Sequence, residues 1–195
     1  MALEHALLVA LSEQPASGLD LAKRFSRSIG FFWHATHQQI YRTLARMGAD
    51  GWVDATDVAQ AGKPAKKMYA VTPAGARALT AWLAEPTATQ PLRSDLAVKL
   101  RGASFGDVDA VLDVVLANLA DHQVRLDHYQ QLMKRDYPEL GALTGLELDH
   151  YLVLRGGILM EETWIAWLSE YLSAHGRSRH VLAGARPARS PKEEP

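Results

Sequence analysis

The 195-residue sequence predicts a mainly α-helical protein that contains one short β-hairpin. Apolar residues recur at helical spacing through most of the chain. Between Trp52 and Val71 the pattern changes to two short strand-like stretches that flank a turn rich in glycine, proline and lysine. In the second half, two apolar series repeat at alternating intervals of four and three residues. These observations predict a small mixed N-terminal domain followed by an all-α region.

Composition limits the protein classes that need to be considered. Hydrophobic residues make up 48% of the chain, which is enough for a packed core. The net charge of −1 divides into +2 for residues 1–85 and −3 for residues 86–195. This division favours a protein that contacts nucleic acid with one face only. The chain has no cysteine, and its apolar first residues include Glu4 and His5 without a basic leader. We therefore expect a cytoplasmic protein.

The first half predicts four helices and a hairpin. Ser17 and Asp20 have the spacing of a capping box, and Thr36 and Thr72 are N-cap candidates. Pro73 suits the first position of a helix. The predicted helices cover about residues 2–12, 19–29, 36–49 and 73–84. We expect the second to bury Leu19, Leu21, Ala22 and Phe25, and the third to bury Ile40, Leu44 and Met47. The predicted hairpin has a strand that begins at Trp52, a turn at 62–67 and a return strand at 68–71.

The second half predicts long helices after a proline-containing linker at 86–94. The helices cover about residues 95–103, 107–135 and 146–175, and 176–195 forms a basic tail that we expect to be disordered. The two apolar series are Val108, Leu112, Val115, Leu119, His122, Leu126, Tyr129 and Met133, and Tyr151, Leu154, Ile158, Glu161, Ile165, Leu168 and Leu172. Such series pack against other long helices, and a two-fold homodimer would supply them.

The third helix and the hairpin together predict a DNA-reading surface. Helices that read DNA present short polar side chains near their N-terminus, and this helix begins with several. The candidate contacts on it are Thr36, His37, Gln38, Gln39, Tyr41 and Arg42. Lysines of the turn, which are Lys63, Lys66 and Lys67, could neutralise phosphates beside the site. The order of elements predicts a winged helix-turn-helix with a two-stranded wing over residues 1–85, which binds a double-stranded DNA operator.

Two other interpretations of the same segment stay open at the level of sequence. A polar helix face can be an ordinary solvated surface, and a basic hairpin turn is common on protein surfaces. A winged helix can also serve as a protein-interaction module that has no operator of its own.

The motifs of this segment resemble those of the PadR family of bacterial transcriptional regulators. The resemblance is carried by Ile40-Tyr41-Arg42-Thr43-Leu44, Gly51-Trp52-Val53, Gly62-Lys63-Pro64-Ala65-Lys66-Lys67 and Tyr69-Ala70-Val71-Thr72-Pro73-Ala74-Gly75. Arg42 departs from the proline of many members, and Gln38-Gln39 from a frequent small residue, so the operator sequence is not carried over. Glu162-Thr163-Trp164-Ile165-Ala166-Trp167-Leu168 is similar to a segment of the longer members, whose C-terminal helices form the dimer. The resemblance implies a homodimeric repressor that a small molecule releases, with phenolic acids as the best-known ligand class.

Polar and aromatic residues of the predicted 95–175 dimerisation and effector domain could form a site for a small aromatic acid. Aromatic residues at helical spacing usually belong to a core, and a polar residue in an apolar series often fixes register. Arg155 could hold a carboxylate through two hydrogen bonds. The candidate effector residues are His122, Tyr129, His150, Tyr151, Arg155, Trp164 and Trp167.

The sequence gives little support to catalysis or to metal binding. It has no nucleophile elbow, phosphate-binding glycine loop or His-Glu-x-x-His motif. His34 and His37 are three residues apart, but no carboxylate beside them completes a metal site. We therefore predict no catalytic residue, no cofactor and no metal.

Overall fold

Seven α-helices and a three-stranded antiparallel sheet lie in the parts of the chain that the computed structural model describes, which are residues 2–25, 35–60, 63–88 and 93–177. The chain divides into two compact units, Met1–Gln90 and Pro91–Pro195. The first unit contains α1 (Ala2–Glu13), β1 (Ala16–Ser17), α2 (Gly18–Phe25), α3 (His37–Ala49), β2 (Val53–Gln60), β3 (Lys63–Val71) and α4 (Pro73–Leu83). The second contains α5 (Asp95–Arg101), α6 (Val108–Asp136) and α7 (Gly145–Ala174), with short 3₁₀ turns at Ala103–Phe105 and Leu140–Ala142.

The core of the first unit is formed where α1, α2 and α3 meet the base of the sheet. Its fully buried side chains include Leu7, Leu8, Leu21, Ile40, Leu44 and Met47. Apolar residues of α3 recur at intervals of three and four, so they lie on one face and leave the other to solvent. The inward positions predicted on α3 are confirmed. Leu19 of α2, which we expected to be buried, is 45% exposed.

Two charged contacts hold the helices of this unit together. The guanidinium of Arg24 on α2 donates to the carbonyl oxygens of Ala10 and Gln14, each at 3.1 Å, where α1 ends. A cation at this position satisfies carbonyl groups that have no partner within their helix. Arg46 of α3 forms an ion pair with Glu4 of α1, whose side chain is largely buried. The orientation of α3 is therefore fixed by ionic as well as apolar contacts.

The sheet differs from the prediction in two respects. It has the strand order β1-β3-β2, so Ala16–Ser17 adds a third strand that the sequence did not indicate. A two-residue strand beside Pro15 is too short to show an alternating pattern. The predicted turn at 62–67 was also too long, because β3 begins at Lys63 and pairs with β2 along its length. Lys66 and Lys67 therefore lie in a strand.

The second unit is built on the antiparallel pair α6 and α7. Its core contains Leu100 of α5, Leu112, Val115 and Leu119 of α6, and Leu168 and Leu172 of α7. Both predicted apolar series supply these residues, so they pack against each other within one chain. The dimer was expected because each series needed another long helix to pack against. Since the two series cover each other, they require no second subunit, and that argument is wrong.

Two polar residues cap helices of the second unit. Ser94 and Asp107 cap α5 and α6 by accepting from the backbone N–H groups of Ala97 and Ala110, each at 3.2 Å. Arg177, after the end of α7, pairs with Asp109 at 2.7 Å and Asp113 at 2.8 Å in the first turns of α6. Most of the tail that we expect to be disordered, residues 89–92 of the linker and the predicted end of the second helix fall outside the described residues. None of the described helices has the length and apolar character needed to span a membrane.

Candidate nucleic-acid interface and effector cluster

A capping box opens α3, the predicted recognition helix. The hydroxyl of Thr36 accepts from the Gln39 backbone N–H at 3.2 Å, and the Gln39 side-chain oxygen accepts from the Thr36 backbone N–H at 2.8 Å. Since both groups would otherwise lack partners, the box fixes where the helix begins. The structure therefore gives Gln39 a structural role that the sequence analysis did not assign.

All six predicted contact residues are solvent-exposed, and they lie at the N-cap and in the first two turns of α3. They differ in what they can offer to DNA. Reading adenine through two hydrogen bonds requires both the oxygen and the nitrogen of a glutamine amide. The Gln39 oxygen is occupied by the capping box, whereas no hydrogen bond to Gln38 is found among the described residues. Gln38 is accordingly the better base-reading candidate, beside Arg42.

Tyr41 connects α3 to the first turn of α2. A Cβ atom placed on Gly18 would lie 2.4 Å from the Tyr41 ring, so only glycine at position 18 allows the ring to lie there. The Tyr41 side chain still keeps 47% of its surface exposed. Burial, and to a smaller extent the charges of Tyr41 and Asp57, raise the pKa of the neighbouring Tyr69 hydroxyl in β3. Tyr41 thus has a packing role at the junction of α2, α3 and the sheet.

The two described wing lysines have different surroundings. Lys66 Nζ lies 2.7 Å from the Asp20 carboxylate in the first turn of α2, and each side chain is about one-third exposed. Lys67 is exposed and lies opposite Asp57 in the strand register. The side chain of Lys63 falls outside the described residues. Lys67 is therefore better placed than Lys66 to reach a phosphate.

Asp20 also completes the predicted capping box with Ser17. The Ser17 hydroxyl donates to the Asp20 carboxylate at 2.9 Å and accepts from the Asp20 backbone N–H at 3.2 Å. The hydrogen bonds from Lys66 and then from Ser17 hold the pKa of the Asp20 carboxyl below its ordinary value. The contact with Lys66 was not predicted, because residues 46 positions apart carry no signal of proximity in one sequence.

The base of the wing is anchored by Thr72. Its hydroxyl donates to the Gly51 carbonyl at 2.6 Å and accepts from the Gly75 N–H at 3.1 Å, while its N–H donates to the Trp52 carbonyl at 3.0 Å. Gly51 has a positive φ of 69°, which glycine adopts without strain. The predicted Thr72 cap is confirmed, and it fixes both ends of the hairpin to α4.

In the second unit, the predicted candidates His122 of α6 and Trp164 of α7 lie together, and Trp167 extends this group toward the exposed face of α7. The His122 ring stacks on Trp164 with centroids 5.2 Å apart, and Trp164 contacts Trp167 at 5.2 Å. His122 Nδ1 lies 2.5 Å from a Glu161 carboxylate oxygen and 2.7 Å from a guanidinium nitrogen of Arg125. The His122 and Glu161 side chains are each 12% exposed. We call these residues, with Tyr129 and Arg125, the effector cluster.

Arg125 and Tyr129 complete this cluster from α6. Arg125 Nε donates to the other Glu161 oxygen at 3.1 Å, and the Arg125 side chain is 44% exposed. Burial and, next, the negative charge of Glu161 raise the pKa of the Tyr129 hydroxyl. The sequence analysis missed Arg125, although its position three residues after His122 places both on one face of the helix. The cluster contains a cation at its edge and aromatic rings behind it.

The remaining predicted effector residues lie elsewhere along α7. Tyr151 packs on the edge of Tyr137 at 5.7 Å, His150 is exposed, and Arg155 lies 3.6 Å from Glu162 on its own helix. Ten residues of helix separate Tyr151 from Glu161, which is about 15 Å along the axis. One small aromatic acid cannot contact both positions, so the predicted set divides into at least two groups. Within the described residues, no group of three or more His, Asp or Glu side chains is arranged to hold a metal ion.

Both units match families of known proteins. Residues 7–81 match the Transcriptional regulator PadR-like family, and residues 92–175 match the Virulence activator alpha C-term family. The probable transcriptional regulator Rv1176c of Mycobacterium tuberculosis is 50% identical over 184 residues, which cover 89% of this chain and 97% of that protein. The structure of the Vibrio cholerae virulence activator AphA has a TM-score of 0.75 at 32% identity, with 89% of this chain and 98% of that chain covered.

A further relative is PadR of Bacillus subtilis, a negative transcriptional regulator that is 27% identical over 176 residues, covering 88% of this chain and 96% of that protein. Its structure in complex with operator DNA has a TM-score of 0.79 at 26% identity and covers 89% of this chain and 99% of that chain. Its structure with p-coumaric acid, at 24% identity, has a TM-score of 0.73 and covers 89% and 98%. The described fold agrees with these structures in both units. This chain belongs to the PadR-like family of transcriptional regulators.

Proposed function

We propose that this regulator is a repressor that binds a specific operator as a homodimer and is released by a small aromatic acid. In this proposal, residues 1–85 read DNA, 86–94 link the domains, and 95–175 form the dimer and the effector site. The exposed N-terminal face of α3 is the observation that carries the proposal. Operator DNA of a bacterial regulator lies in the cytoplasm, so we expect the protein there.

Contact with DNA follows from the chemistry of the described residues. Gln38 and Arg42 are the groups on α3 that suit adenine and guanine, respectively. Lys67 of the wing supplies charge to the flanking backbone, which gives affinity without sequence preference. Two copies of α3 would enter successive major grooves if a dimer holds them about 34–36 Å apart.

A homodimer is supported by the face of α7 that lies away from α6. This face carries large apolar side chains that remain exposed, most of them by about half. They are Leu146, Leu148, Leu152, Val153, Leu159, Met160 and Trp167. Fully burying one such side chain contributes roughly 1.5–3 kcal/mol, so a matching helix from a second copy would stabilise a dimer. A surface of this length is unusual for a monomer.

The effector cluster provides the chemistry for an aromatic acid. The rings of His122, Trp164 and Trp167 offer stacking surfaces, and Arg125 presents a guanidinium that is 44% exposed. A ligand carboxylate would compete with Glu161 for Arg125. Such a ligand releases DNA only if it binds more tightly to the arrangement of helices that does not fit the operator.

The first test is selection of bound duplexes from a random DNA pool, followed by binding measurements on the selected site. We expect Gln38→Ala to relax the preference at one base pair of each half-site, while Gln131→Ala on exposed α6 leaves preference and affinity unchanged. Failure to select any sequence would overturn the proposal and favour a winged helix that binds proteins.

Light scattering should give a dimer, and a stable monomer at micromolar concentration would refute the dimer.

The second test concerns release and the sign of regulation. We expect p-coumaric acid to quench tryptophan fluorescence and to lower operator affinity in the wild type, and Arg125→Gln to abolish both effects. Arg155→Gln is the matched control, because Arg155 has similar exposure but pairs with Glu162. Loss of the response in the control but not in Arg125→Gln would place the effector elsewhere.

The sign of regulation is tested with a reporter gene placed behind the selected operator. Its expression should rise when the regulator is deleted, and a fall would identify an activator.

A further inference from the structure

The first turn of α2 holds a carboxylate that engages a cation of the wing. Asp20 lies 2.7 Å from Lys66 Nζ, and the Ser17 hydroxyl donates to the same Asp20 oxygen at 2.9 Å. Ser17 is itself part of β1, which pairs with β3 through the Ser17–Met68 register. The backbone of the wing and the carboxylate that binds its lysine are therefore fixed to each other by strand pairing.

We infer that Asp20 is a specificity-determining residue, because it withholds Lys66 from DNA phosphate and so limits the sequence-independent part of binding. This inference rests on the proposed contact between the wing and DNA. In this arrangement Lys67 of the wing contacts the DNA backbone and Lys66 does not. Affinity for random DNA stays low, and the contribution of α3 to the choice of site is correspondingly larger.

Electrostatics favours retention of the Asp20–Lys66 pair in the complex. If Lys66 moved to a phosphate, it would leave the Asp20 carboxylate without its cation beside a second negative charge. The Ser17 hydroxyl would still hold that carboxylate in place, so Asp20 could not easily turn away. The lowered pKa of Asp20 keeps the carboxyl ionised at neutral pH, so its charge is available to hold Lys66.

The test measures the salt dependence of binding to a random-sequence duplex. Each phosphate contact made by a cation steepens the slope of log affinity against log salt by about 0.9. We expect Asp20→Asn to steepen this slope by about 0.9, so a tenfold lower salt concentration adds about an eightfold gain in affinity. Lys66→Met alone should leave the slope unchanged, and Asp20→Asn with Lys66→Met should return it to the wild-type value.

Controls separate this effect from a general change in charge or folding. Asp54→Asn removes an exposed carboxylate of β2, opposite Ala70 in the register, and should leave the slope unchanged. Thermal unfolding reports whether each variant folds. If Asp20→Asn is unstable, Lys66→Met carries the test alone, because it leaves Asp20 and its contacts with Ser17 intact.

The outcomes distinguish this inference from the proposed function. Lys67→Met should flatten the slope in every case in which the wing contacts DNA. Two outcomes overturn only the inference on Asp20. In the first, Lys67→Met flattens the slope but Asp20→Asn does not steepen it. In the second, Lys66→Met alone flattens the slope by about 0.9. If no substitution in the wing changes the slope, the wing does not contact phosphate. The inference on Asp20 then fails together with the proposed wing contact, whereas sequence-specific binding by α3 is decided separately by the DNA selection and by Gln38→Ala.

Discussion

Replacing Gly75 by alanine should destabilise the DNA-binding unit, although alanine is the better helix former. Gly75 lies in the first turn of α4, where the chain passes close to the base of the wing. An added Cβ would lie 2.2 Å from the Trp52 carbonyl oxygen, 3.0 Å from the Trp52 carbonyl carbon and 3.2 Å from Leu8 Cδ2. Two of these three atoms belong to the backbone, so a rotamer change cannot relieve the contact.

The size of the destabilisation can be estimated from the atoms that must move to accept the new Cβ. To reach ordinary contact, the Trp52 carbonyl has to shift by roughly 1 Å, and overpacking of this kind costs about 1–3 kcal/mol. The shift lengthens the 3.0 Å hydrogen bond from the Thr72 N–H to the same carbonyl. Loss of that bond adds about 0.5–1.5 kcal/mol. Alanine in a helix returns about 0.5–1 kcal/mol. We expect a net loss of about 2 kcal/mol in the free energy of unfolding.

The assay is urea unfolding followed by tryptophan fluorescence, in a background where Trp164 and Trp167 are replaced by phenylalanine. The signal then excludes the second unit, so that its unfolding does not distort the transition. Gly48→Ala is the matched control: its Cβ would meet nothing closer than Val53 O at 4.0 Å. We expect the control to stabilise by about 0.5–1 kcal/mol. If Gly75→Ala stabilises the unit as Gly48→Ala does, the steric argument is wrong.

Three further predictions concern titratable groups. Because the folded-state pKa of Asp20 is lowered, its stabilising effect is present above the ordinary value of 3.8 and disappears as pH falls through the folded value. The wild type should therefore exceed Asp20→Asn in unfolding free energy at neutral pH, and the difference should vanish in acid. Tyr129 has a raised pKa, so the wild type should lose stability relative to Tyr129→Phe as pH rises above 10.0, and parallel curves would contradict this. Glu161→Gln should destabilise the second unit by roughly 1–3 kcal/mol in denaturant titrations, because the Glu161 carboxylate contacts both His122 and Arg125 at a largely buried position. Exposed Glu162→Gln should stay within about 0.5 kcal/mol of the wild type, and equal losses would refute the cluster.

Most helices of this protein could be predicted from local patterns. The inward series of α3 and the caps at Thr36 and Thr72 are features of a few consecutive residues, and the structure confirms them. Local features of this kind depend on backbone hydrogen bonds within one turn and on the 3.6-residue period. The strands were predicted less accurately. The lysines of 63–67 resemble a turn in sequence, whereas their backbone pairs with β2.

The candidate site could be predicted as a region but not as a set of roles. The sequence placed Gln38, Gln39 and Arg42 on an exposed face, and the structure agrees. It could not show that Gln39 is engaged by its own helix cap or that Lys66 is engaged by Asp20. In the second unit, it could not separate Tyr151 and Arg155 from the residues around His122.

The sequence by itself determined the family, the order of the helices and the exposed surface that we propose faces DNA, because these depend on periodicity, capping and short motifs that neighbouring residues encode. Only the tertiary structure decided which polar groups remain available on that surface. The pairing of Asp20 with Lys66 and of Glu161 with His122 and Arg125 joins residues 46, 39 and 36 positions apart. Such contacts form when packing of whole elements brings distant side chains together, and a single sequence carries no periodic signal for them.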